Sequence, residues 1–124
     1  MRTFFAAAVV VAMAASPAYA QDPFVGEFGS NCRPEHQCFI DISKVGNKYK
    51  INWVTANRMD ASKIVCSVQR TVAKKEGALH GKWEGSRKIL IETLSGGSIA
   101  ITGTDNGASG RTLPVNGVYT PIGD

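Results

Sequence analysis

The sequence predicts an all-β protein: a small eight-stranded antiparallel up-and-down β-barrel, lipocalin-like in outline, with a two-sheet sandwich as the alternative. Three observations indicate this fold class. Apolar residues alternate with polar ones in eight short segments, turn-forming residues separate these segments, and no stretch has the periodicity of a long helix. Short connections favour antiparallel neighbours, because parallel strands need long crossovers. Closure of the sheet would remove its exposed edges.

The first half of the chain contains four of these segments. Their inward-facing residues, in chain order, are Phe24, Gly26 and Phe28, then Cys38, Ile40 and Ile42, then Tyr49, Ile51 and Trp53, and finally Ile64, Cys66 and Val68. The third segment has the clearest period of two, since Lys48, Lys50 and Asn52 occupy its alternate positions. The dipeptide Gly46-Asn47 is a typical turn before it.

The second half repeats the arrangement with four more segments. Their inward-facing residues are Leu79, Gly81 and Trp83, then Ile89 and Ile91, then Ile99 and Ile101, and finally Leu113, Val115, Gly117 and Tyr119. Turn-forming residues join these segments at 74–77, 84–86 and 95–98, and a longer loop covers 104–110. The Asn106-Gly107 step in that loop suits the positive φ angles of a tight turn.

The inward-facing side chains bear on what the barrel holds. An eight-stranded barrel is about wide enough for side chains, or for one small ligand. Five aromatic residues are expected to point inward: Phe24, Phe28, Tyr49, Trp53 and Trp83. An interior filled by these rings would leave no room for a ligand, whereas an unfilled one would indicate a carrier of a small apolar molecule.

The first 20 residues predict export from the cytoplasm. Arg2 precedes an apolar run over residues 4–15, and Ala18-Tyr19-Ala20 has the small-x-small form of a cleavage site. The run is shorter than the roughly 20 residues that span a bilayer. The residue directly after the cleavage site is Gln21 rather than cysteine, so we expect a periplasmic or secreted protein without a membrane anchor, cleaved after Ala20. Removing 20 of the 124 residues leaves 104, which suffices for one domain over 21–124.

The sequence predicts neither an enzyme nor a protein with a cofactor or metal. It has no Gly-x-Ser-x-Gly elbow, no Walker loop and no His-Glu-x-x-His motif. Cys32, Glu35, His36 and Cys38 are close in sequence, but zinc sites usually use two separated ligand pairs and this chain has no second pair. Its 14 basic and 10 acidic residues are scattered, so no nucleic-acid partner is expected.

The three cysteines, Cys32, Cys38 and Cys66, lie in the part expected to be exported, where an oxidising compartment permits a disulfide. Spacing does not decide which two of them pair. A direct Cys38–Cys66 bond would need strong sheet curvature or another strand order, because one strand separates the two segments. Cys32, in a loop, could reach either partner. The third thiol is then either buried or available to a second copy, which leaves a homodimer open.

Function is therefore expected in the loops, because a barrel frees its ends from packing. Two segments rich in glycine and serine are candidates for contact with a protein partner, with ordinary hairpin turns as the alternative. They comprise Ser95, Gly96, Gly97 and Ser98, and Asn106, Ser109, Gly110 and Arg111. Small residues let a backbone approach a partner closely, hydroxyls donate hydrogen bonds, and arginine binds a carboxylate through two parallel hydrogen bonds.

An exported single-domain barrel with exposed Ser/Gly loops resembles the bacterial inhibitors of c-type lysozyme. It is most similar to the soluble periplasmic branch, because it lacks the lipidated cysteine of the membrane-bound branch. The family presents a Ser-Gly-rich loop and a basic residue to the lysozyme cleft. Ser95-Gly96-Gly97-Ser98 and Ser109-Gly110-Arg111 are the comparable segments, although neither has the family's usual Ser-Gly-x-Gly-x-(Arg/Lys)-Tyr sequence.

The resemblance implies a loop that plugs the active-site cleft of a host c-type lysozyme, where two carboxyl groups flank the scissile bond. Since c-type lysozymes are strongly basic and this chain is mildly basic, acidic residues such as Glu84, Glu92 or Asp105 would be needed near the contact. A non-catalytic envelope protein is the remaining alternative.

Overall fold

The computed structural model describes residues 22–122, and the expected export signal lies outside them. Within these residues are ten β-strands and one turn of 3-10 helix over Ser95–Gly97. The strands are β1 (Gly26–Arg33), β2 (His36–Val45), β3 (Lys48–Asn57), β4 (Ile64–Lys75), β5 (Ala78–Lys82), β6 (Lys88–Thr93), β7 (Ile99–Thr102), β8 (Gly107–Ala108), β9 (Arg111–Thr112) and β10 (Gly117–Pro121).

Eight of the strands close into an antiparallel barrel in the order β1-β10-β7-β6-β5-β4-β3-β2. Each strand pairs with its neighbours along the chain, except that the small β8–β9 hairpin is inserted between β7 and β10. The ring closes where Phe28 pairs with Pro121 and Gly29 with Thr120. The predicted eight-stranded up-and-down barrel is therefore confirmed, and the sheet does not divide into a sandwich.

Alternating residues of the strands fill the barrel interior. All five aromatic residues expected to point inward are buried. The rings of Trp53 and Trp83 meet edge to face, with their centroids 6.2 Å apart. The largest fully buried side chains are Trp53, Tyr49, Tyr119, Phe24, Ile40, Ile42, Ile51, Leu79, Ile89, Ile91, Ile99 and Ile101. Rings and branched aliphatic chains thus occupy the space that a small ligand would need.

Two of the predicted segments differ locally from the structure. Ile64 is 59 % exposed rather than inward-facing, because the pairing of β3 with β4 shifts register between Thr55 and Ala56. The last predicted strand also begins late. Its first apolar residues, Leu113 and Val115, are buried in the loop before β10.

The two ends of the barrel are closed by different segments. At the end we call the Phe24 end, Phe24 lies just before β1 and packs edge to face on Tyr49, with ring centroids 5.9 Å apart. At the opposite end, residues 104–116 cross the opening; we call them the cap. The cap contributes Ala108, Leu113 and Val115 to the core.

A disulfide joins Cys32 near the end of β1 to Cys38 near the start of β2. Their Cα atoms are 5.8 Å apart, within the usual range for such a bond. Disulfides persist in oxidising compartments, which fits an exported protein. None of the helical structure in residues 22–122 has the length and hydropathy of a transmembrane segment.

Candidate functional site

Two buried tryptophans hold the cap on the barrel. The indole N–H of Trp83, just after β5, donates to the backbone oxygen of Gly107 at 2.6 Å. The indole N–H of Trp53 donates to the Tyr119 hydroxyl at 3.0 Å, and this hydroxyl donates to the backbone oxygen of Val115 at 2.7 Å. Because buried polar groups are costly to leave unpaired, these bonds fix the position of the cap.

Internal hydrogen bonds give the cap a defined shape. The Thr104 hydroxyl donates to the side-chain oxygen of Asn116 at 2.7 Å, which joins the two ends of the cap. The backbone N–H of Asn116 donates to the side-chain oxygen of Asn106 at 2.9 Å, and the Leu113 N–H donates to the Asn106 backbone oxygen at 2.7 Å. The structure thus places Asn106, a predicted contact residue, in bonds that shape the cap.

The cap contains the β8–β9 hairpin, residues 107–112, which we call the cap tip. Its residues 109–112 are exposed, whereas Gly107 and Ala108 are buried. Ser109 and Gly110 form its two-residue turn with φ angles of 55° and 71°, as expected of a tight hairpin. The Ser109 hydroxyl contacts the Cys66 sulfur, and the Ser109 N–H donates to the Glu84 carboxylate at 2.8 Å. The hydroxyl is therefore directed to the barrel, and the turn presents mainly backbone.

Two arginines flank a shallow groove beside the cap tip. Arg87, from the β5–β6 connection, and Arg111, at the start of β9, line this groove of about 220 Å³ together with Asp105 and Thr112. A Cβ on Gly107 would lie 2.7 Å from the guanidinium carbon of Arg87, so the guanidinium packs where a side chain is absent. Arg111 was predictable from the composition of its loop, whereas Arg87 was not, because only the fold brings it to the tip.

The acidic residues proposed to accompany the contact are divided between the ends. Glu84 binds the turn of the cap tip, and Asp105 lines the arginine groove. Glu92 lies near the other end of β6 and is exposed. Guanidinium groups and carboxylates thus lie close together around the cap tip.

The other predicted contact segment, Ser95-Gly96-Gly97-Ser98, lies at the Phe24 end, because β6 runs away from the cap and β7 returns to it. Gly96 and Gly97 have φ angles of 80° and 84°, and the Leu94 N–H closes the turn on the Ser98 oxygen at 2.8 Å. All but Ser98 are exposed. The two predicted segments therefore lie at opposite ends of the barrel and cannot enter one cleft together.

The remaining cysteine, Cys66, is buried under the cap tip. Cys38 on β2 and Cys66 on β4 both pair with Thr55 on β3, so one strand separates them. Cys38 is instead bonded to Cys32, six residues before it. Burial raises the pKa of the Cys66 thiol. Of the two states expected for the third thiol, the structure shows the buried one.

The sequence cluster of Cys32, Glu35, His36 and Cys38 does not form a metal site. The disulfide uses both of its thiols. Across residues 22–122, no group of three or more His, Cys, Asp or Glu side chains is placed to hold a metal ion.

Comparison with protein-family models, with curated proteins and with solved structures finds no match for this chain. Its function is therefore inferred from the geometry of the cap tip and the barrel.

Proposed function

We propose that this chain is an exported, non-catalytic protein-binding module that inhibits a host c-type lysozyme by inserting the cap tip into the active-site cleft. The observation that carries the proposal is the Arg87–Arg111 groove on an exposed hairpin that the barrel holds in place. A protruding turn with few large side chains suits entry into a cleft. We place the protein in the periplasm or outside the cell.

The chemistry of the two surfaces is complementary. Glycoside hydrolases of this kind work with two carboxyl groups on either side of the scissile bond. A guanidinium group can form two parallel hydrogen bonds to a carboxylate, and charge-assisted bonds are stronger than neutral ones. Arg111 at the tip and Arg87 beside it could each bind one carboxylate, and the backbone of Gly110 would fill the space between them.

The filled interior argues against the alternative of a lipocalin-like carrier. Trp53, Tyr119 and Trp83 occupy the centre of the barrel, and the first two are hydrogen-bonded to each other. A carrier would need these rings to leave the interior at the cost of their burial and of buried hydrogen bonds. We therefore propose recognition by the surface.

The proposal is tested by the lysis of bacterial cell walls by a c-type lysozyme, measured at increasing concentrations of the purified protein. We expect dose-dependent inhibition. The double variant Arg87→Ala/Arg111→Ala should weaken it at least about tenfold, because it removes two charge-assisted contacts. No inhibition at a large molar excess over lysozyme would refute the proposed target.

Two matched variants locate the contact. Arg58→Ala removes an exposed arginine from the β3–β4 connection at the same end of the barrel, outside the groove, and should inhibit as the unchanged protein does. Ser95→Ala alters the predicted segment at the Phe24 end. If inhibition depends on Ser95 and not on the two arginines, the contact lies at the Phe24 end and the proposed role of the cap tip is wrong.

A further inference from the structure

The outer wall of β1, β2 and β3 carries two adjacent rows of side chains of different character. In one row, Gly29 pairs with Phe39, and Phe39 pairs with Val54. In the next, Glu27 pairs with Asp41, and Asp41 pairs with Asn52. We call these the apolar row and the acidic row. They line a groove of about 320 Å³ together with Ile122.

The apolar row forms a defined seat on the surface. Phe39 and Val54 are half-buried, and Ile122 remains 45 % exposed. A Cβ on Gly29 would lie 2.7 Å from the Cδ1 atom of Ile122, so the isoleucine lies directly over the glycine backbone. The Ile122 N–H donates to the Glu27 backbone oxygen at 2.9 Å, which holds it there. Apolar surface of this kind, bordered by polar groups, is typical of an interaction site.

The acidic row has an unbalanced charge. Glu27 and Asp41 are exposed and directly opposite each other on paired strands, an arrangement that is unfavourable for like charges. Asn52 on the far side of Asp41 is neutral. Lys50 is the nearest cation by register, at the diagonal position about 7–8 Å away, and it can offset only one of the two charges. A cation between the two carboxylates would relieve their repulsion.

We propose that this wall is a second docking surface, for a cationic amphipathic polypeptide segment in which a lysine or arginine lies two residues from an aliphatic residue, so that both side chains face the wall. The two rows are about 6–7 Å apart, the spacing of like-facing residues along a strand. A basic side chain would lie on the Glu27–Asp41 pair. The aliphatic side chain two residues away would cover Phe39, Val54 and Ile122. A second copy related by a two-fold axis through the acidic row would instead bring like carboxylates together.

This inference goes beyond the proposed function and does not depend on it. The cap tip offers guanidinium groups to carboxylates, whereas the wall offers carboxylates to cations, on a different face. Its test accordingly uses no lysozyme. The probe, the lysine–leucine peptide, has ten residues, with lysine and leucine in turn at every second position and serine between them. In the matched controls, glutamate replaces lysine (the glutamate–leucine peptide) or serine replaces leucine (the lysine–serine peptide).

The measurement is the change in backbone amide chemical shifts of the isotope-labelled protein as each peptide is added. We expect the lysine–leucine peptide alone to shift the amides of the two rows and of Ile122. The double variant Glu27→Gln/Asp41→Asn should weaken its binding at least tenfold while leaving the melting temperature unchanged or higher. Glu92→Gln, an exposed carboxylate on β6 outside the wall, should bind as the unchanged protein does.

Several results would overturn the inference. These are shifts elsewhere on the barrel, equal binding by the lysine–serine peptide, or unchanged binding in the double variant. Concentration-dependent shifts of the same amides without any peptide would identify a second copy as the occupant, which also contradicts it. The Arg87→Ala/Arg111→Ala variant should bind the peptide normally, so failure at the wall and failure at the cap tip can be told apart.

Discussion

The Phe24 end and the cap end are closed by different interactions. At the Phe24 end, the Asp22 carboxylate accepts hydrogen bonds from the Tyr49 hydroxyl at 2.6 Å and from the Phe24 N–H at 2.9 Å. The ammonium group of Lys74 lies 5.8 Å from the centre of the Phe24 ring. At the cap end, Trp83 and the Trp53–Tyr119 pair donate hydrogen bonds to backbone oxygens of the cap.

At the cap end, the hydrogen bonds that hold the cap are therefore separate from the side chains that the cap exposes. These hydrogen bonds end on backbone oxygens, which are present whatever side chains the cap carries, so the exposed Arg111 side chain takes no part in them. The Phe24 end depends on the identity of its side chains, including one that titrates. A barrel of this design can therefore vary its contact residues on the cap with little effect on the core.

The largest expected effect is that of Trp53→Ala, because this ring packs in the core and also supports the cap through Tyr119. The free energy of unfolding should fall by about 3–5 kcal/mol, as for other buried aromatic residues replaced by alanine. Urea denaturation measures the change. Val118→Ala, at a position 54 % exposed on β10, is the control and should stay within about 0.5 kcal/mol of the parent. Equal losses would mean that the two faces are misassigned.

Loss of the disulfide should cause the next largest fall in the free energy of unfolding, mainly by loosening the cap end. Cys32→Ser/Cys38→Ser removes a cross-link between residues six apart, and the loop-entropy relation gives a loss of about 2 kcal/mol for so short a loop. Thermal unfolding with and without reductant measures it. A parent protein whose melting temperature does not respond to reductant would contradict the pairing.

Trp83→Phe should lower stability less and should show whether the two ends of the barrel open separately. Trp83→Phe keeps a ring but leaves the Gly107 oxygen without its donor, which should cost about 1–3 kcal/mol and loosen the cap. Since Cys66 lies under the cap tip, its rate of reaction with a thiol reagent should rise. Phe24→Leu, at the opposite end, should destabilise the protein without a comparable rise. Equal labelling rates in the two variants would show that the ends open together.

Ionisation of Tyr49 and Tyr119 should not affect the free energy of unfolding at neutral pH. At alkaline pH it should lower the free energy of unfolding, because both side chains are buried. Burial and the Asp22 hydrogen bond raise the pKa of Tyr49 to about 12, and burial raises that of Tyr119 to about 12. Because the folded pKa exceeds the unfolded value of about 10, the stabilising contribution is complete below pH 10 and is lost as the pH approaches 12. Tyrosinate absorbance during an alkaline titration measures this, and a midpoint near 10 in the folded protein would contradict it.

The Phe24 end should contribute to the acid limb of the stability profile through Asp22. Partial burial acts to raise the pKa of Asp22, but hydrogen bonds from Tyr49 and Phe24 and the charges of Lys44 and Lys74 outweigh it, so this pKa is lowered. Its stabilising contribution is present above the unfolded value and is lost as the pH falls through the folded value. Asp22→Asn should therefore flatten the acid limb of the stability profile, measured as the free energy of unfolding at a series of acid pH values.

The barrel was predictable from the sequence because the alternation of apolar and polar residues is a local pattern, and eight separate segments show it. The cap was not, because Leu113 and Val115 alternate as strand residues do, and only the closed barrel shows that they cover its end. Arg87 could not be assigned to the site for a similar reason. Its guanidinium lies in a space above Gly107 that exists only after β5, β6 and the cap have packed. The direction of the Ser109 hydroxyl, toward Cys66 rather than a partner, likewise depends on contacts distant in sequence.

Hydrogen–deuterium exchange of the protein, with and without an excess of a c-type lysozyme, would show where lysozyme binds, because it reports on both ends of the barrel at once. The account predicts new protection at residues 84–87 and 107–112, with unchanged exchange at 94–98. No new protection anywhere, or protection confined to 94–98, would contradict it.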